Sequence, residues 1–252
     1  MTFDKSSVLE LIGKGINAYE RSEFKKAIEF YEQALAIARK IKYREGEGGA
    51  LGSLGNAYYS LGEVRKATEY HEQALVIDRE IDDRKGEGVD LGNLGNAYSD
   101  LGKIRKSIEY YEQAIDIARD IEDRINEGRW VGNLGNRYSD LGEIRKAIEY
   151  YEQSLVIARE IGDRIAEGNA LGNLGNAYSA LGEIRKAIEY YEQALAIARE
   201  IKYREGEGAW LSSIGEANMV LGDWDKSLQL FSDALKIFET IESLTRQGET
   251  LS

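Results

Sequence analysis

The chain has 252 residues, of which 42% are hydrophobic and 31% charged, and its formal net charge is −12. It contains no cysteine and one histidine, which excludes disulfides, thiolate nucleophiles and most cysteine- or histidine-based metal and catalytic sites. The negative charge disfavours the phosphate backbone of a nucleic acid as a partner.

Signals for export or membrane insertion are absent from this sequence. No run of 18 apolar residues is present, and residues 1–14 lack a cationic segment followed by an apolar one. We therefore expect a cytoplasmic protein with no membrane partner. We also expect no metal and no cofactor.

A forty-residue period runs through the chain. The segment LGSLGNAYY begins at Leu51, LGNLGNAYS begins at Leu91 and again at Leu171, and VGNLGNRYS begins at Val131. A period of this length is typical of a solenoid, in which each repeat buries its apolar face against its neighbours. In chain order we expect a polar leader at 1–7, six repeats and a C-terminal stub at 248–252. The six repeats are 8–47, 48–87, 88–127, 128–167, 168–207 and 208–247.

Each repeat is predicted to contain two helices, which we call helix A and helix B. In the repeat 168–207, apolar residues recur at the spacing of one helical face before Gly182 and again after it. A glycine at this position is typical of a helix end. Aspartates between repeats are predicted to cap the next helix A; they are Asp82, Asp83, Asp123 and Asp163.

The repeats resemble the tetratricopeptide repeat. Counted from the first residue of each repeat, that family has large apolar, small or aromatic residues at positions 4, 7, 8, 11, 20, 24 and 27. The repeat 168–207 supplies Leu171, Leu174, Gly175, Tyr178, Ala187, Tyr191 and Ala194 at these positions. Position 32, often proline in the 34-residue form, is arginine in repeats one to five, so helix B is predicted to continue for more than a turn.

The forty-residue form is similar to the repeats of LGN/Pins-type adaptors and of prokaryotic tetratricopeptide arrays, with kinesin light chain more distant. This resemblance implies an all-α, right-handed α-solenoid superhelix of six helix-turn-helix repeats. It also implies a non-enzymatic scaffold that binds a protein or peptide partner.

Helix A is expected to carry the binding surface, because the resemblance places its positions 2, 5, 6, 9, 12 and 13 on a concave groove. Positions 6 and 9 are mostly asparagine, a mediocre helix former. The predicted peptide-binding residues are Asn56, Asn93, Asn96, Arg129, Asn133, Asn136, Asn173 and Asn176. The predicted ligand is an extended peptide of mixed charge, with Arg129 holding one carboxylate. The alternative is that the amides bond one repeat to the next.

Structural interpretations are favoured for the other notable residues. His71 replaces a tyrosine of other repeats and is predicted to fill the same packing position, not to act in catalysis. The glycines at position 8 are predicted to let helix A approach helix B; they are Gly55, Gly95, Gly135 and Gly175. No catalytic residue is predicted.

The last repeat differs from the others. Phe238 stands at the position that Ala118, Ala158 and Ala198 hold in other repeats. We predict that Ile237, Phe238 and Ile241 form an apolar surface for end-to-end self-association. Two alternatives to the adaptor hypothesis remain open. One is a structural element that self-assembles through its apolar ends, and the other is a regulatory or sensor arm of a larger protein.

Overall fold

Short turns connect twelve α-helices in residues 4–249, the range that the computed structural model describes, with side chains as far as Glu242. The first six are α1 Lys5–Glu20, α2 Phe24–Ile41, α3 Arg44–Ser60, α4 Val64–Ile81, α5 Arg84–Asp100 and α6 Ile104–Asp120. The other six are α7 Arg124–Asp140, α8 Ile144–Ile161, α9 Arg164–Ala180, α10 Ile184–Glu200, α11 Arg204–Val220 and α12 Trp224–Glu249. The all-α prediction is confirmed: odd-numbered helices are helix A and even-numbered ones are helix B.

The chain forms two compact units, residues 1–130 and 131–252, with the boundary inside α7. In unit 1, α2 packs against α1 and α3, and α4 packs against α3 and α5. In unit 2, α9 contacts α8 and α10, and α11 contacts α10 and α12. Each helix B with a helix A on both sides buries its apolar stripe between them.

Glycines and aspartates end and begin the helices as predicted. Gly182 has φ of +78°, a left-handed conformation, and its N–H donates to the Ser179 carbonyl at 2.9 Å. The side chains of Asp83 and Asp163 each accept from a backbone N–H at 2.9 Å and cap α5 and α9. Asp82 has a different place, since it is the left-handed residue that ends α4.

Helix A begins earlier than the repeat boundaries. The helices α3 and α9 start at Arg44 and Arg164, four residues before the predicted repeats 48–87 and 168–207. Residues 4–7, assigned to a polar leader, form the N-cap and first turn of α1, while 1–3 lie outside the described residues. The helix α12 includes the first two residues of the predicted stub, and 250–252 lie outside the described residues.

The position 8 glycines lie where helix A touches helix B. A Cβ added to Gly95 would be 2.7 Å from the Tyr111 ring, and one added to Gly175 would be 2.4 Å from the Tyr191 ring. No real Cβ tolerates such distances. Only glycine therefore allows these helices to pack so closely, as the sequence predicted.

A glutamate that is buried in four cases and half-buried at Glu207 joins each of five helix B termini to the helix A that follows. Glu47 on α3 accepts from Arg39 Nε at 2.9 Å and from Arg44 Nη1 at 2.6 Å. Burial opposes ionisation, but the two arginine hydrogen bonds outweigh it and hold the pKa of Glu47 below its ordinary value. We call this arrangement the junction clamp. It recurs as Arg79/Arg84–Glu87, Arg119/Arg124–Glu127, Arg159/Arg164–Glu167 and Arg199/Arg204–Glu207.

Candidate functional site

In unit 1 the predicted asparagines lie on adjacent A helices, since α3 contacts α5. Asn56 is exposed, and Asn93 and Asn96 are half-buried. The Nδ2 group of Asn93 donates to Asn56 Oδ1 at 3.1 Å, so the structure brings these two side chains together. Arg129 is exposed on α7, next to the last residue of this unit.

In unit 2 the same arrangement recurs. Asn133, Asn136 and Asn173 are half-buried, and Asn176 is exposed. Asn173 Nδ2 donates to Asn136 Oδ1 at 3.4 Å. We call the surface that bears these asparagines the A-helix face of each unit: Asn56, Asn93 and Asn96 in unit 1, and Asn133, Asn136, Asn173 and Asn176 in unit 2.

The position 9 asparagines are also bonded to helix B. The hydroxyl of Tyr111 donates to Asn96 Oδ1 at 2.5 Å, and in unit 2 Tyr151 and Tyr191 donate to Asn136 and Asn176 at 2.9 and 2.8 Å. These bonds join the two helices of one repeat, whereas the bonds Asn93–Asn56 and Asn173–Asn136 join one repeat to the next, as the alternative interpretation expects. Each bond fixes the orientation of the amide through its oxygen, and the Nδ2 group on the other arm is a hydrogen-bond donor.

The A-helix face of unit 1 changes from apolar to polar along the stack. On α1, Leu9 and Ile16 are exposed. On α3 and α5, polar groups take over, and the Tyr59 hydroxyl donates to the carboxylate of Asp100 at 2.5 Å. Two exposed carboxylates lie at the ends of these A helices, Glu20 on α1 and Asp100 on α5. The face therefore offers apolar contacts at one end and amides with negative charge at the other.

His71 is buried and fills the packing position of the tyrosines, as predicted, but it also belongs to a polar cluster. Its Nδ1 lies 2.8 Å from Asp90 Oδ1, and the buried Asp78 is hydrogen-bonded to Asp90. Burial, followed by the charge and hydrogen bond of Asp90, raises the pKa of Asp78 to about 8. At neutral pH Asp78 therefore keeps its proton and can donate it in the bond to Asp90.

Family comparison identifies the repeat. Three overlapping matches to a model described as "Tetratricopeptide repeat" cover residues 46–120, 87–160 and 128–200, and a second model of the same description covers 173–240. The chain belongs to the tetratricopeptide repeat family. A search of curated protein sequences found no match.

Several solved structures are similar to this tetratricopeptide repeat chain in fold. The crystal structure of BtubC (BKLC) from P. vanneervenii matches with a TM-score of 0.77 and 19% identity, over 87% of this chain and 92% of that one. A STAND ATPase from Pyrococcus horikoshii with a tetratricopeptide repeat sensor matches with a TM-score of 0.81 and 21% identity, over 95% of this chain but 38% of that one. A Rap protein complexed with Competence and Sporulation Factor matches with a TM-score of 0.66 and 16% identity, over 96% of this chain and 77% of that one.

The described residues of this tetratricopeptide repeat chain contain neither a membrane-spanning helix nor a cluster of metal ligands. No helix there has the length and apolar content to cross a membrane. No group of three or more His, Cys, Asp or Glu side chains in the same range could hold a metal ion.

Three residues of these polar contacts were not predicted from the sequence, and all three depart from the repeat consensus. Asp78 and Asp90 replace small or apolar residues found at their positions in most other repeats. Arg137 replaces a buried alanine of helix A, and its Nε lies 3.3 Å from Asp140 Oδ2. A position-by-position comparison of the repeats would have found all three.

The residues predicted for self-association are not equally accessible. Ile237 is buried, Ile241 is half-buried and Phe238 is exposed. The surface that could pair with a partner therefore includes Phe238 but not Ile237, whose side chain faces the interior of unit 2.

Proposed function

We propose that this chain is a non-enzymatic scaffold that binds an extended peptide on the A-helix face of each unit. The observation that carries the proposal is the bond from a helix B tyrosine to the amide oxygen of Asn96, Asn136 or Asn176. It fixes each amide before a ligand arrives. Fixed donors require little ordering on binding, so less of the binding free energy is lost.

The spacing of the amides suits an extended chain. Packed helices lie roughly 8–10 Å apart, and an extended peptide rises about 3.3 Å per residue. One amide on each helix A would therefore meet about every third residue of the ligand. Because an Nδ2 group donates hydrogen bonds, its natural acceptor is a backbone carbonyl of the peptide.

Charges on the same helices indicate a ligand of mixed charge. Glu20 and Asp100 are exposed on α1 and α5 and would attract cationic side chains. Arg129 is exposed on α7 and would attract a carboxylate. Exposed charges of this kind influence specificity and association rate more than affinity.

Two structural relatives support a role in partner binding. The Rap protein was crystallised in a complex with Competence and Sporulation Factor, and the tetratricopeptide repeats of the STAND ATPase are described as a sensor. Both share the fold of this chain. They support recognition of a partner as the activity of the repeats.

Paired asparagine substitutions test the proposal. A partner captured with the intact chain is mapped to a synthetic peptide, whose affinity is measured by fluorescence anisotropy. Asn136→Ala/Asn176→Ala removes two amides, each worth about 0.5–1.5 kcal/mol, so affinity should fall about tenfold or more. The matched control, Gln153→Ala/Gln193→Ala, removes two exposed amides from helix B and should leave affinity unchanged. Equal affinities for all three proteins would overturn the proposal.

A further inference from the structure

The last helix of unit 2 exposes an apolar face that is covered in the preceding repeats. Leu228 is 68% exposed and Leu235 is 57% exposed. Leu155 and Leu195, at the same repeat position as Leu235, are each 7% exposed. The helices that carry them, α8 and α10, are covered by α9 and α11. In the described part of the chain no such helix covers α12.

Two residues of α12 make this face unsuitable for a further helix A. Phe238 stands where α8 and α10 have alanine; its ring packs on α11, 2.7 Å from the position of a Cβ on Gly208, and the residue is still 40% exposed. Glu239 replaces the arginine that forms the junction clamp in the preceding repeats, such as Arg199. A helix A with a clamp glutamate would therefore meet an aromatic ring and a like charge. The α1 helix of another copy would meet Glu239 near its own Asp4, which again is a like charge.

The exposed apolar residues of α12 follow the spacing of a coiled-coil seam. Trp224, Leu228, Phe231, Leu235 and Phe238 are separated by alternating steps of four and three. This is the pattern by which one helix packs along another helix. We call these five residues the α12 seam. All of them are exposed except Phe231, which is half-buried.

We infer that the α12 seam is an interface between two copies of this chain, paired in antiparallel order. A two-fold axis near residues 229 and 230 sets Trp224 against Leu235 of the second copy, and Leu228 against Phe231. The same order keeps Glu239 away from its own counterpart, whereas a parallel pair would place the two carboxylates together. Interfaces that use one patch twice are the commonest kind in homo-oligomers.

The exposed apolar area is sufficient for such a pair. Val220 and Leu221, just before α12, are 66% and 47% exposed and extend the four exposed residues of the seam. At roughly 100 Å² for each of the six side chains, the patch amounts to about 600 Å² per copy. A pair would then bury about 1,200 Å², the lower limit for a specific and stable interface.

Sedimentation of the full chain tests the pairing. The wild-type protein should change with rising concentration from the monomer mass of 28.3 kDa to twice that mass. Leu228→Glu/Leu235→Glu should remain a monomer with unchanged circular dichroism, because both side chains are at the surface. The matched control, Leu9→Glu/Ile16→Glu, changes two exposed apolar residues of α1 in the same way and should still dimerise. A wild-type monomer at every concentration, or a dimer of the α12 variant, would overturn the inference.

Cysteine crosslinking tests the antiparallel order. The chain has no cysteine, so only introduced thiols can form a disulfide. Under oxidation, Trp224→Cys/Leu235→Cys should give a covalent dimer, while Trp224→Cys alone should not. A dimer of the single variant would show parallel pairing and contradict the antiparallel arrangement.

Discussion

Asp78 is buried in a place where most repeats have alanine. Its carboxyl group lies beside Asp90, with His71 on the far side of Asp90, and Asp83 and Glu87 add further negative charge nearby. Ionisation of Asp78 would place a second negative charge beside the carboxylate of Asp90, with no further cation in this cluster to balance it. Asp78 therefore stays protonated in the folded chain up to a pH of about 8, whereas an unfolded aspartate ionises near 3.9.

This difference predicts how stability changes with pH. Since the folded chain holds a proton that the unfolded chain has lost, the contribution of Asp78 is most favourable in acid. It falls by on the order of 1 kcal/mol per pH unit between about pH 4 and 8. Asp78→Ala should therefore stabilise the protein increasingly over that range, as measured by urea unfolding at pH 5, 6.5 and 8.

The control for this prediction is Asp116→Ala, which removes an exposed carboxylate of helix B from α6. Its effect on the free energy of unfolding should be small and nearly constant with pH. If the free energies of unfolding of the wild type and Asp78→Ala differed by the same amount at all three pH values, Asp78 would not hold a proton in the folded chain.

At the scale of single residues, the sequence correctly predicted the roles of residues that recur at the same position from repeat to repeat. Gly95 and Gly175 recur because a helix B tyrosine leaves no room for a Cβ, and their role followed directly from their positions. His71 was correctly placed in the packing position of a tyrosine. Its bond to Asp90 could not be predicted, because it depends on which helix faces the histidine ring across the next repeat.

At the scale of the helix, the junction clamp explains how the forty-residue repeat differs from the shorter form. Arginine at position 32 lets helix B continue, since it has the backbone N–H that proline lacks. Its side chain then reaches the glutamate at the start of the next helix A, as Arg39 reaches Glu47. One residue type therefore both lengthens helix B and fixes the next helix.

Glu47→Gln tests the strength of one clamp. Glutamine keeps the shape but loses the charge that holds Arg39 and Arg44, so the free energy of unfolding should fall by about 1–3 kcal/mol at pH 7. Because the folded chain lowers the pKa of Glu47, the clamp contributes fully above the unfolded pKa of about 4.3. That contribution is lost as the pH falls through the folded pKa.

Denaturant unfolding at pH 7 and in acid measures the difference in the free energy of unfolding between the wild type and Glu47→Gln. This difference should be smaller in acid. The control is Glu10→Gln, which breaks an exposed pair with Lys14 and should change stability by about 0.5 kcal/mol or less. If Glu47→Gln lowered the free energy of unfolding at pH 7 by no more than Glu10→Gln does, the buried glutamate would add nothing to the stability of the junction.

The helix order followed from hydrophobic spacing, and the aspartates at 83, 123 and 163 correctly marked where a helix A begins, although the repeat boundaries fall four residues later. The four residues before three of the repeat boundaries, 44–47, 84–87 and 204–207, are charged or glycine and show no apolar period. Their helicity comes from the clamp and from glutamates near the positive end of the helix. These are contacts between helices, which a local pattern does not show.

At the scale of the whole molecule, a repeat is held by its nearest neighbours. In unit 2, α9 contacts α8 and α10, and α10 contacts α9 and α11. If residues 168–207 were removed, Glu167 would precede Gly208, as Glu207 does now. The helix α11 would then meet α8 in the way that α9 does, with Arg159 able to clamp Glu167 as before.

We therefore expect the chain without residues 168–207 to fold. Stability in a repeat array is a sum of repeat and neighbour contributions, so the shorter chain should melt cooperatively at a lower temperature with unchanged ellipticity per residue. Removing only 168–187 shifts the order by half a repeat and would place one helix B where a helix A belongs. Circular dichroism melts should show a broad or absent transition for that variant. An unfolded chain after the forty-residue deletion would instead mean that contacts beyond nearest neighbours stabilise the fold.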